Sequence, residues 1–280
     1  MKFGIVVDSS SDLYNKDFIN DKYDFTVVPL HITIGGNDYV DDDNIDIDNF
    51  IHHMEDEQTS MSTSVPSPKA FKEAYDKSDN VFCFTISSQL SGCYNCALLG
   101  REMSLEENPN KNIFVLDSRQ TAGSLVLLVN EAIKLINLNY SYELIKYKLM
   151  EYQKTLMLDF TLGNYKMLML SGRMSTMVGN IAGQLDVRSI ATISAETGTI
   201  HVFKKVHGIK KLYKELFNEM KSRKDLSQGD IYIHHCYNED DANILKELII
   251  KEFPKAKITI NKCKGITTFY AQKEGIIVSY

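Results

Sequence analysis

The sequence lacks an excess of basic residues and lacks any long apolar run. Its 31 Lys and Arg residues are outnumbered by 37 Asp and Glu residues, which gives a formal net charge of −6. We expect no nucleic-acid partner, because binding to a phosphate backbone needs clustered basic side chains and the lysines here are scattered. No stretch reaches the roughly 18 consecutive apolar residues of a spanning helix, so we expect no stable membrane insertion.

Cysteines are also few. Cys83, Cys93, Cys96, Cys236 and Cys263 are an odd number without the dense spacing of a secreted disulfide framework, which predicts reduced thiols. Cys93 and Cys96 form a single C-x-x-C pair, for which we expect inert thiols at a helix start rather than a zinc or redox site. The opening stretch MKFGIVVDSS predicts a strand and not a leader segment, and we expect a cytoplasmic protein.

Standard catalytic signatures are missing. The sequence has no G-x-G-x-x-G, no P-loop, no G-x-S-x-G and no H-E-x-x-H motif. The acidic run DDDNIDIDNF, residues 41–50, lacks the glycine and the terminal glutamate of a calcium loop and predicts a turn and a helix cap. An enzyme with Ser91 or Cys93 as nucleophile would need a nearby general base, and the histidines lie outside the Ser- and Thr-rich segments. We therefore expect neither an enzyme nor a metal or cofactor site.

Strands and helices alternate through the first half of the chain. The β-rich runs are KFGIVVD, FTVVPLHITI, VFCFTI and IFVLD, each bounded by turn-forming residues. In TAGSLVLLVNEAIKLI the apolar residues recur at helical spacing, and Ser141 then begins YELIKYKLMEYQ as an N-cap residue. This alternation predicts a mostly parallel sheet that is covered by helices on both faces.

The pattern changes near residue 156. Two short β-runs flank Glu196, Thr197 and Gly198 and predict an antiparallel hairpin. An amphipathic helix, the strand DIYIHH, another helix and two last β-runs follow. We predict an α/β protein of two lobes, an N-terminal α/β lobe over residues 1–157 and a mixed α/β C-terminal lobe over residues 158–280, with a ligand cleft between them.

Small hydroxyl residues follow several of the predicted strands. They occur in residues 8–12, 62–67, 87–92 and 117–118. Ligands of open α/β sheets bind outside the carboxyl ends of the strands, where helix N-termini offer free N–H groups to an anion. Gly92 would allow a close approach of the backbone. Each serine could instead cap its own helix, but their recurrence at one sheet edge favours a binding site.

The arrangement of motifs as a whole resembles the DegV family over nearly the entire chain. VVDSSSDL resembles the family's opening V-x-D-S-x-x-D-L, and STSVPSP resembles its T-S-x-P-S. SSQLSGCYNCA is similar to S-S-x-L-S-G-T-Y-x-x-A, and LSGRMS to G-G-R-I-S. VVPLHI matches the strand that follows the opening motif in the family, and FVLDSRQTAGSLVLLVNEA resembles the family's D-S helix. Six motifs in the right order make the resemblance specific.

This resemblance implies a carrier of one long-chain fatty acid, of 14 to 18 carbons such as hexadecanoate, and no chemistry of its own. The acyl chain would lie between the lobes, and a fatty-acid kinase would phosphorylate the presented carboxylate. Position by position, the resemblance assigns the carboxylate to the hydroxyls of Thr63 and Ser91, with Ser64 and Gly92 beside them and Arg173 as the cation. A carboxylate with about four acceptor sites suits such donors.

The chain departs from the family pattern in several motifs. Ser171 replaces the first glycine of G-G-R, and Cys93 replaces the threonine of S-G-T. The C-terminal stretch TTFYAQKEGIIVSY lacks the histidine that the family resemblance predicts there, and Thr267, Thr268 or Tyr270 could substitute for it. Two further hypotheses stay open, a binder or sensor of another small amphiphilic acid and a Ser- or Cys-dependent acyl-transfer enzyme.

Methionines cluster near the predicted cation. Met167, Met169, Met174 and Met177 flank Arg173 in the sequence. Flexible thioethers suit a pocket for chains of different length, and they suit ordinary core packing equally well.

Overall fold

A computed structural model describes residues 2–18, 20–56, 60–174 and 187–280. The strands are β1 (Phe3–Asp8), β2 (Tyr23–Val28), β3 (His31–Ile34), β4 (Asn37–Val40), β5 (Met61–Ser64), β6 (Asn80–Thr85), β7 (Asn112–Asp117), β8 (Leu158–Thr161), β9 (Val187–Ile193), β10 (Ile200–His207), β11 (Asp230–His235), β12 (Lys257–Lys262) and β13 (Ile276–Ser279). The helices are α1 (Ile47–Asp56), α2 (Pro68–Tyr75), α3 (Cys93–Glu107), α4 (Gly123–Asn137), α5 (Tyr142–Gln153), α6 (Lys166–Leu170), α7 (Ile209–Arg223), α8 (Glu239–Glu252) and α9 (Gly265–Ala271).

A parallel sheet of order β2-β1-β6-β7 organises the N-terminal part, as predicted. Its central strands are continuous apolar runs, because helices cover both faces of the sheet. Val6 lies on the face of α2 and α3 and belongs to one buried cluster with Phe71 and Ala97. Ile5 points to the opposite face and belongs to a second cluster with Leu128 of α4.

The β-rich run FTVVPLHITI contains two strands that belong to different sheets. Pro29 lies between β2 and β3, and it has no N–H group for a strand ladder. After it, the chain enters a three-stranded antiparallel sheet of order β4-β3-β5, which was not predicted. Ile32 is buried and pairs with Thr63, so this small sheet fixes the position of Thr63.

A six-stranded mixed sheet of order β10-β9-β8-β13-β11-β12 organises the C-terminal part, also as predicted. β11 and β12 are parallel, and the other neighbouring pairs are antiparallel. The predicted hairpin is β9 and β10, in which Ile193 pairs with Ile200. The lobe boundary at residues 157 and 158 stays a prediction.

The tip of this hairpin contacts the N-terminal part. Ser87 Oγ donates to the carbonyl oxygen of Gly198 at 2.8 Å, and Arg119 Nη1 donates to that of Glu196 at 2.7 Å. Gly198 has φ +76°, and a Cβ atom there would lie 2.4 Å from Ser87 Oγ. This turn therefore needs glycine for its backbone conformation and for its close contact.

Asp8 joins the carboxyl ends of two neighbouring parallel strands. Its buried carboxylate accepts hydrogen bonds from the N–H and Oγ of Ser10, at 3.0 and 2.6 Å, and from the N–H of Ile86, at 2.7 Å. Burial nevertheless raises the pKa of Asp8 to about 6.

Two further features are the state of the cysteines and the length and apolarity of the helices. The five cysteines are free. Among the helices of the described ranges, none combines the length and apolarity needed to cross a bilayer.

The first prediction concerns the contact between α2 and α3. A Cβ atom at Gly100 would lie 2.6 Å from the carbonyl oxygen of Pro68 and 2.8 Å from Phe71 Cβ. We expect Gly100→Ala to lower the free energy of unfolding by about 1–2 kcal/mol, because overpacking costs more than the roughly 1 kcal/mol that alanine gains in helix propensity. Denaturant unfolding measures this. Asn95→Ala at an exposed site of the same helix is the control, and equal stability of both variants would contradict the packing argument.

The second prediction concerns Asp8 and pH. The folded protein keeps the Asp8 proton up to about pH 6, whereas the unfolded chain releases it near pH 4, so this group's contribution to stability falls as the pH rises between these values. We expect Asp8→Asn to destabilise the fold by about 2 kcal/mol more at about pH 4.5 than at about pH 7. Urea unfolding at both pH values measures the difference, with Asp21→Asn at an exposed site as the control. If Asp8→Asn lowered the free energy of unfolding equally at both pH values, the raised pKa of Asp8 would be refuted.

Candidate functional site

A cavity of about 810 Å³, including its open mouth, lies between the parallel sheet and the mixed sheet. Its walls are mostly apolar and come from both parts of the chain. The apolar lining residues are Leu30, Val65, Ile86, Leu90, Leu158, Phe160, Leu162, Leu168, Ile193, Ile200, Ile266, Ala271 and Ile277.

Hydroxyl groups and one guanidinium complete the lining. Ser10, Ser91 and Thr121 follow β1, β6 and β7, whose carboxyl ends meet at one edge of the parallel sheet. The remaining polar lining residues are Thr63, Ser64, Arg173, Thr267 and Tyr270. A mostly apolar cavity with a few convergent polar groups is the usual form of a site for an amphiphilic ligand.

Four of the five predicted site residues line this cavity. Thr63 and Ser64 end β5, Ser91 precedes α3, and Arg173 follows α6. Gly92 does not line the cavity and is exposed.

The described protein does not itself crowd Gly92. Gly92 has an ordinary φ of −74°, and a Cβ atom there would meet only Val65 Cγ1, at 3.7 Å. The turn before α3 lies at the surface, so nothing in the described protein requires a glycine at this position. A contact between Gly92 and a ligand stays a prediction.

The serine-rich turns are held by their own hydrogen bonds. Ser88 donates to Asp117 through its N–H and its Oγ, at 3.1 and 2.6 Å. Ser91 Oγ accepts from the N–H of Cys93 and donates to its sulfur, each at 3.3 Å. Ser91 therefore stabilises the start of α3 and also lines the cavity, and its contact with a ligand stays a prediction.

Cys93 does not have the surroundings of a nucleophile. It is buried, and desolvation raises the pKa of its thiol well above the ordinary value. In the described part of the chain, neither a carboxylate nor an imidazole hydrogen-bonds to Ser91 or Cys93. The geometry thus favours binding over acyl transfer.

Arg173 is half-buried and held from two sides. Its Nε donates to the carbonyl oxygen of Leu90 at 3.0 Å, and its Nη1 donates to that of Ser171 at 2.7 Å. These bonds connect the segment after α6 with the turn before α3 and hold the guanidinium at the cavity wall.

The methionines near Arg173 serve core packing more than the cavity wall. Met167 and Met174 are buried in the core cluster around the cavity, and Met169 packs against it. Met177 and Ser175 lie outside the described residues.

Helix α9 is part of the site, although the sequence analysis did not predict it. Its first N–H groups are capped by two buried carboxylates from the N-terminal part. Asp41 accepts from the N–H groups of Gly265 and Ile266, at 3.0 and 3.1 Å, and Asp12 accepts from that of Lys264, at 2.9 Å. Such acceptors satisfy the free donors of a helix start.

The acidic run forms a turn and a helix cap, as predicted, and also a second cap that was not predicted. Asp46 Oδ1 accepts from the N–H of Asn49 at the start of α1, at 3.0 Å, and Asp41 caps α9. The described residues contain no group of three or more His, Cys, Asp or Glu side chains arranged to hold a metal ion.

Buried titratable groups surround the start of α9. Desolvation raises the pKa of Asp12 and of Asp41, and it lowers the pKa of Lys264, whose ammonium donates to the carbonyl oxygen of Leu13. His234 is fully buried with its Nε2 3.8 Å from Asp12 Oδ2, and desolvation lowers the pKa of His234 to about 3. Asp12, Asp41 and Lys264 connect the start of α9 to the N-terminal part of the chain.

The C-terminal stretch without the predicted histidine forms α9 and β13. Tyr270 OH lies 2.9 Å from Thr63 Oγ1, and both residues line the cavity. Thr267 also lines it, whereas Thr268 Oγ1 donates to the carbonyl oxygen of Cys263 at 3.2 Å. Of the three candidate substitutes, Thr268 is therefore directed away from the site.

Comparison with known proteins gives matches over the full length. A family model described as "Uncharacterised protein, DegV family" matches residues 2–279. A DegV domain-containing protein of Streptococcus pyogenes serotype M18 is 36% identical over 280 residues, which are 100% of this chain and 99% of that protein.

Solved structures share the fold. The Fatty Acid Kinase (Fak) B3 protein of Streptococcus pneumoniae, loaded with linoleic acid, matches with a TM-score of 0.96 at 31% identity, over 100% of this chain and 99% of that one. A DegV family protein from Eubacterium eligens, loaded with heptadecanoic acid, matches with a TM-score of 0.92 at 27% identity, over 99% and 98% of the two chains. Both structures were solved with a fatty acid bound. On the sequence match and the shared fold, the chain belongs to the DegV family.

Proposed function

We propose that the chain binds one long-chain fatty acid in the cavity, with the acyl chain along the apolar walls and the carboxylate at the hydroxyl groups. The observation that carries this proposal is the composition of the lining, in which hydroxyls and one guanidinium interrupt an otherwise apolar surface. Two neighbours at 31% and 27% identity that carry a fatty acid support the same ligand class.

Burial of the acyl chain supplies most of the affinity in this proposal. Each buried methylene contributes roughly 0.8 kcal/mol, so a chain of about 16 carbons contributes on the order of 10 kcal/mol before the costs of association. The head group acts mainly on selectivity, because an unpaired carboxylate in an apolar cavity is strongly unfavourable.

We assign the carboxylate contacts to the residues predicted from the motifs. Thr63, Ser64 and Ser91 supply hydroxyl donors, with Gly92 beside them, and Arg173 supplies the positive charge. Because Ser64 is exposed and Thr63 is half-buried, this set of donors lies where the cavity meets solvent. The cavity mouth is thus suited to an anionic group and the interior to a hydrocarbon.

We further propose that a fatty-acid kinase acts on the bound acid, in the cytoplasm. A second recess shares Thr63, Arg173 and Tyr270 with the cavity, and the strongly exposed Leu170 borders it. This recess would give a partner access to the carboxylate without removal of the acyl chain. The name of the similar Streptococcus pneumoniae protein supports a partner of this kind.

The binding proposal predicts a bound ligand in the purified protein. Denaturing mass spectrometry should detect about one equivalent of an acid of 14 to 18 carbons per chain, because an acyl chain that leaves the apolar cavity for water loses the burial of its methylenes. A folded protein that releases no lipid, and that takes up none when hexadecanoic acid is added, would contradict the proposal.

If Arg173 contacts the carboxylate, its removal should weaken acid binding and leave the fold intact. Arg173→Ala should weaken hexadecanoic acid binding about tenfold or more, because a charged hydrogen bond contributes about 1.5–3 kcal/mol. Calorimetric titration measures the affinity, and thermal unfolding checks that the fold is retained. Arg119→Ala removes an exposed arginine that likewise donates to a backbone carbonyl oxygen, and it should leave the affinity for hexadecanoic acid unchanged. Equal affinity of both variants would remove Arg173 from the site.

A further inference from the structure

The hydroxyl pair between Tyr270 and Thr63 joins the two parts of the chain at the cavity. Tyr270 lies on α9 and Thr63 on β5, 207 residues apart in sequence, and their oxygens are 2.9 Å apart. Both residues are half-buried, and both line the cavity and the second recess beside it. The pair therefore lies where we place the head group of the ligand.

The direction of this hydrogen bond follows from the chemistry of the two groups. Each hydroxyl has one proton to donate, and in a pair one oxygen must accept. A phenol is a stronger hydrogen-bond donor than an aliphatic hydroxyl, so Tyr270 is the better donor of the pair. When Tyr270 donates, the Thr63 proton is free for an acceptor in the cavity.

A carboxylate is an acceptor of this kind. It offers only lone pairs, so it favours the arrangement in which Thr63 donates to it and disfavours the reverse one. Hydrogen bonds in such a chain polarise and strengthen one another. We infer that Tyr270 is a positioning residue that acts through Thr63, directing the Thr63 proton to the ligand and favouring a free acid over its neutral ester. This inference rests on the proposed binding of a fatty acid.

The surroundings of Tyr270 hold it in place for this role. Asp41 and Asp12 cap the start of α9, and the ring of Phe269 packs edge-on against that of Tyr270 with 5.0 Å between centroids. Thr63 is held from the other side by its pairing with the buried Ile32. Both hydroxyls are therefore in position before a ligand arrives, which lowers the entropy cost of binding.

Thr267 provides another donor on the same helix. Thr267 is 7% exposed and lines the cavity. α9 thus contributes polar groups to the cavity without a histidine.

The test compares hexadecanoic acid with its methyl ester as probes of the full chain. Tyr270→Phe should weaken acid binding by about three- to tenfold, the scale of one neutral hydrogen bond, and leave ester binding unchanged. Thr63→Val should weaken acid binding at least as much. The double variant should bind the acid no more weakly than Thr63→Val alone, because Tyr270 acts through Thr63.

Tyr165→Phe is the matched control. Its hydroxyl donates to the carbonyl oxygen of Ser189 at 3.0 Å, and the residue is buried outside the cavity lining. This variant should change thermal stability and not the ratio of acid to ester affinity.

Three results would overturn the inference alone. They are unchanged acid affinity in Tyr270→Phe, an equal loss for acid and ester, and additive losses in the double variant. A failure of the unsubstituted chain to bind hexadecanoic acid would instead contradict the proposed function, and the inference with it.

Discussion

A carboxylate that leaves water must be met by hydrogen-bond donors, and on the proposed function this constraint accounts for the polar groups around the cavity. The apolar walls alone would accept a hydrocarbon and reject its acid. The parallel sheet brings the ends of β1, β6 and β7 to one edge, where Ser10, Ser91 and Thr121 face the cavity. The small antiparallel sheet adds Thr63 and Ser64 on β5.

The same constraint applies to the protein's own carboxylates. Asp8, Asp12 and Asp41 are buried, and each accepts hydrogen bonds from backbone N–H groups of a segment distant in sequence. These bonds connect β1 with the turn after β6, and the N-terminal part with α9. Desolvation still raises the pKa of each of these carboxyl groups, which shows that the bonds offset its cost only in part. Buried acids thus hold the segments that carry the site.

Local patterns were sufficient to predict most of the fold. The apolar strands, the amphipathic α4 and the hairpin of β9 and β10 all follow from periodicity and turn residues within a few positions. Elements whose stability comes from distant residues were missed. β4 and β5 have four residues each, and α9 has seven and is capped by Asp41, 224 residues away.

Site residues within a local motif could likewise be predicted from the sequence, whereas those placed only by a distant contact could not. The motif resemblance led to Thr63, Ser64, Ser91 and Arg173, which line the cavity. It also led to Gly92, which lies at the surface beside it. The contact between Tyr270 and Thr63 has no local signal, because a tyrosine in a short apolar helix is equally typical of core packing. Only the contact between Tyr270 OH and Thr63 Oγ1 across the fold distinguishes Tyr270 from Thr268.

The central claim is that an anionic head group and a hydrocarbon chain occupy the two kinds of surface in one cavity. A crystal structure of the chain grown with hexadecanoic acid tests it most directly. We expect continuous density for the acid between the two large sheets, with its carboxylate oxygens within hydrogen-bond distance of Thr63 Oγ1. A cavity filled by protein side chains, or an acid bound with its carboxylate among the apolar walls, would contradict the account.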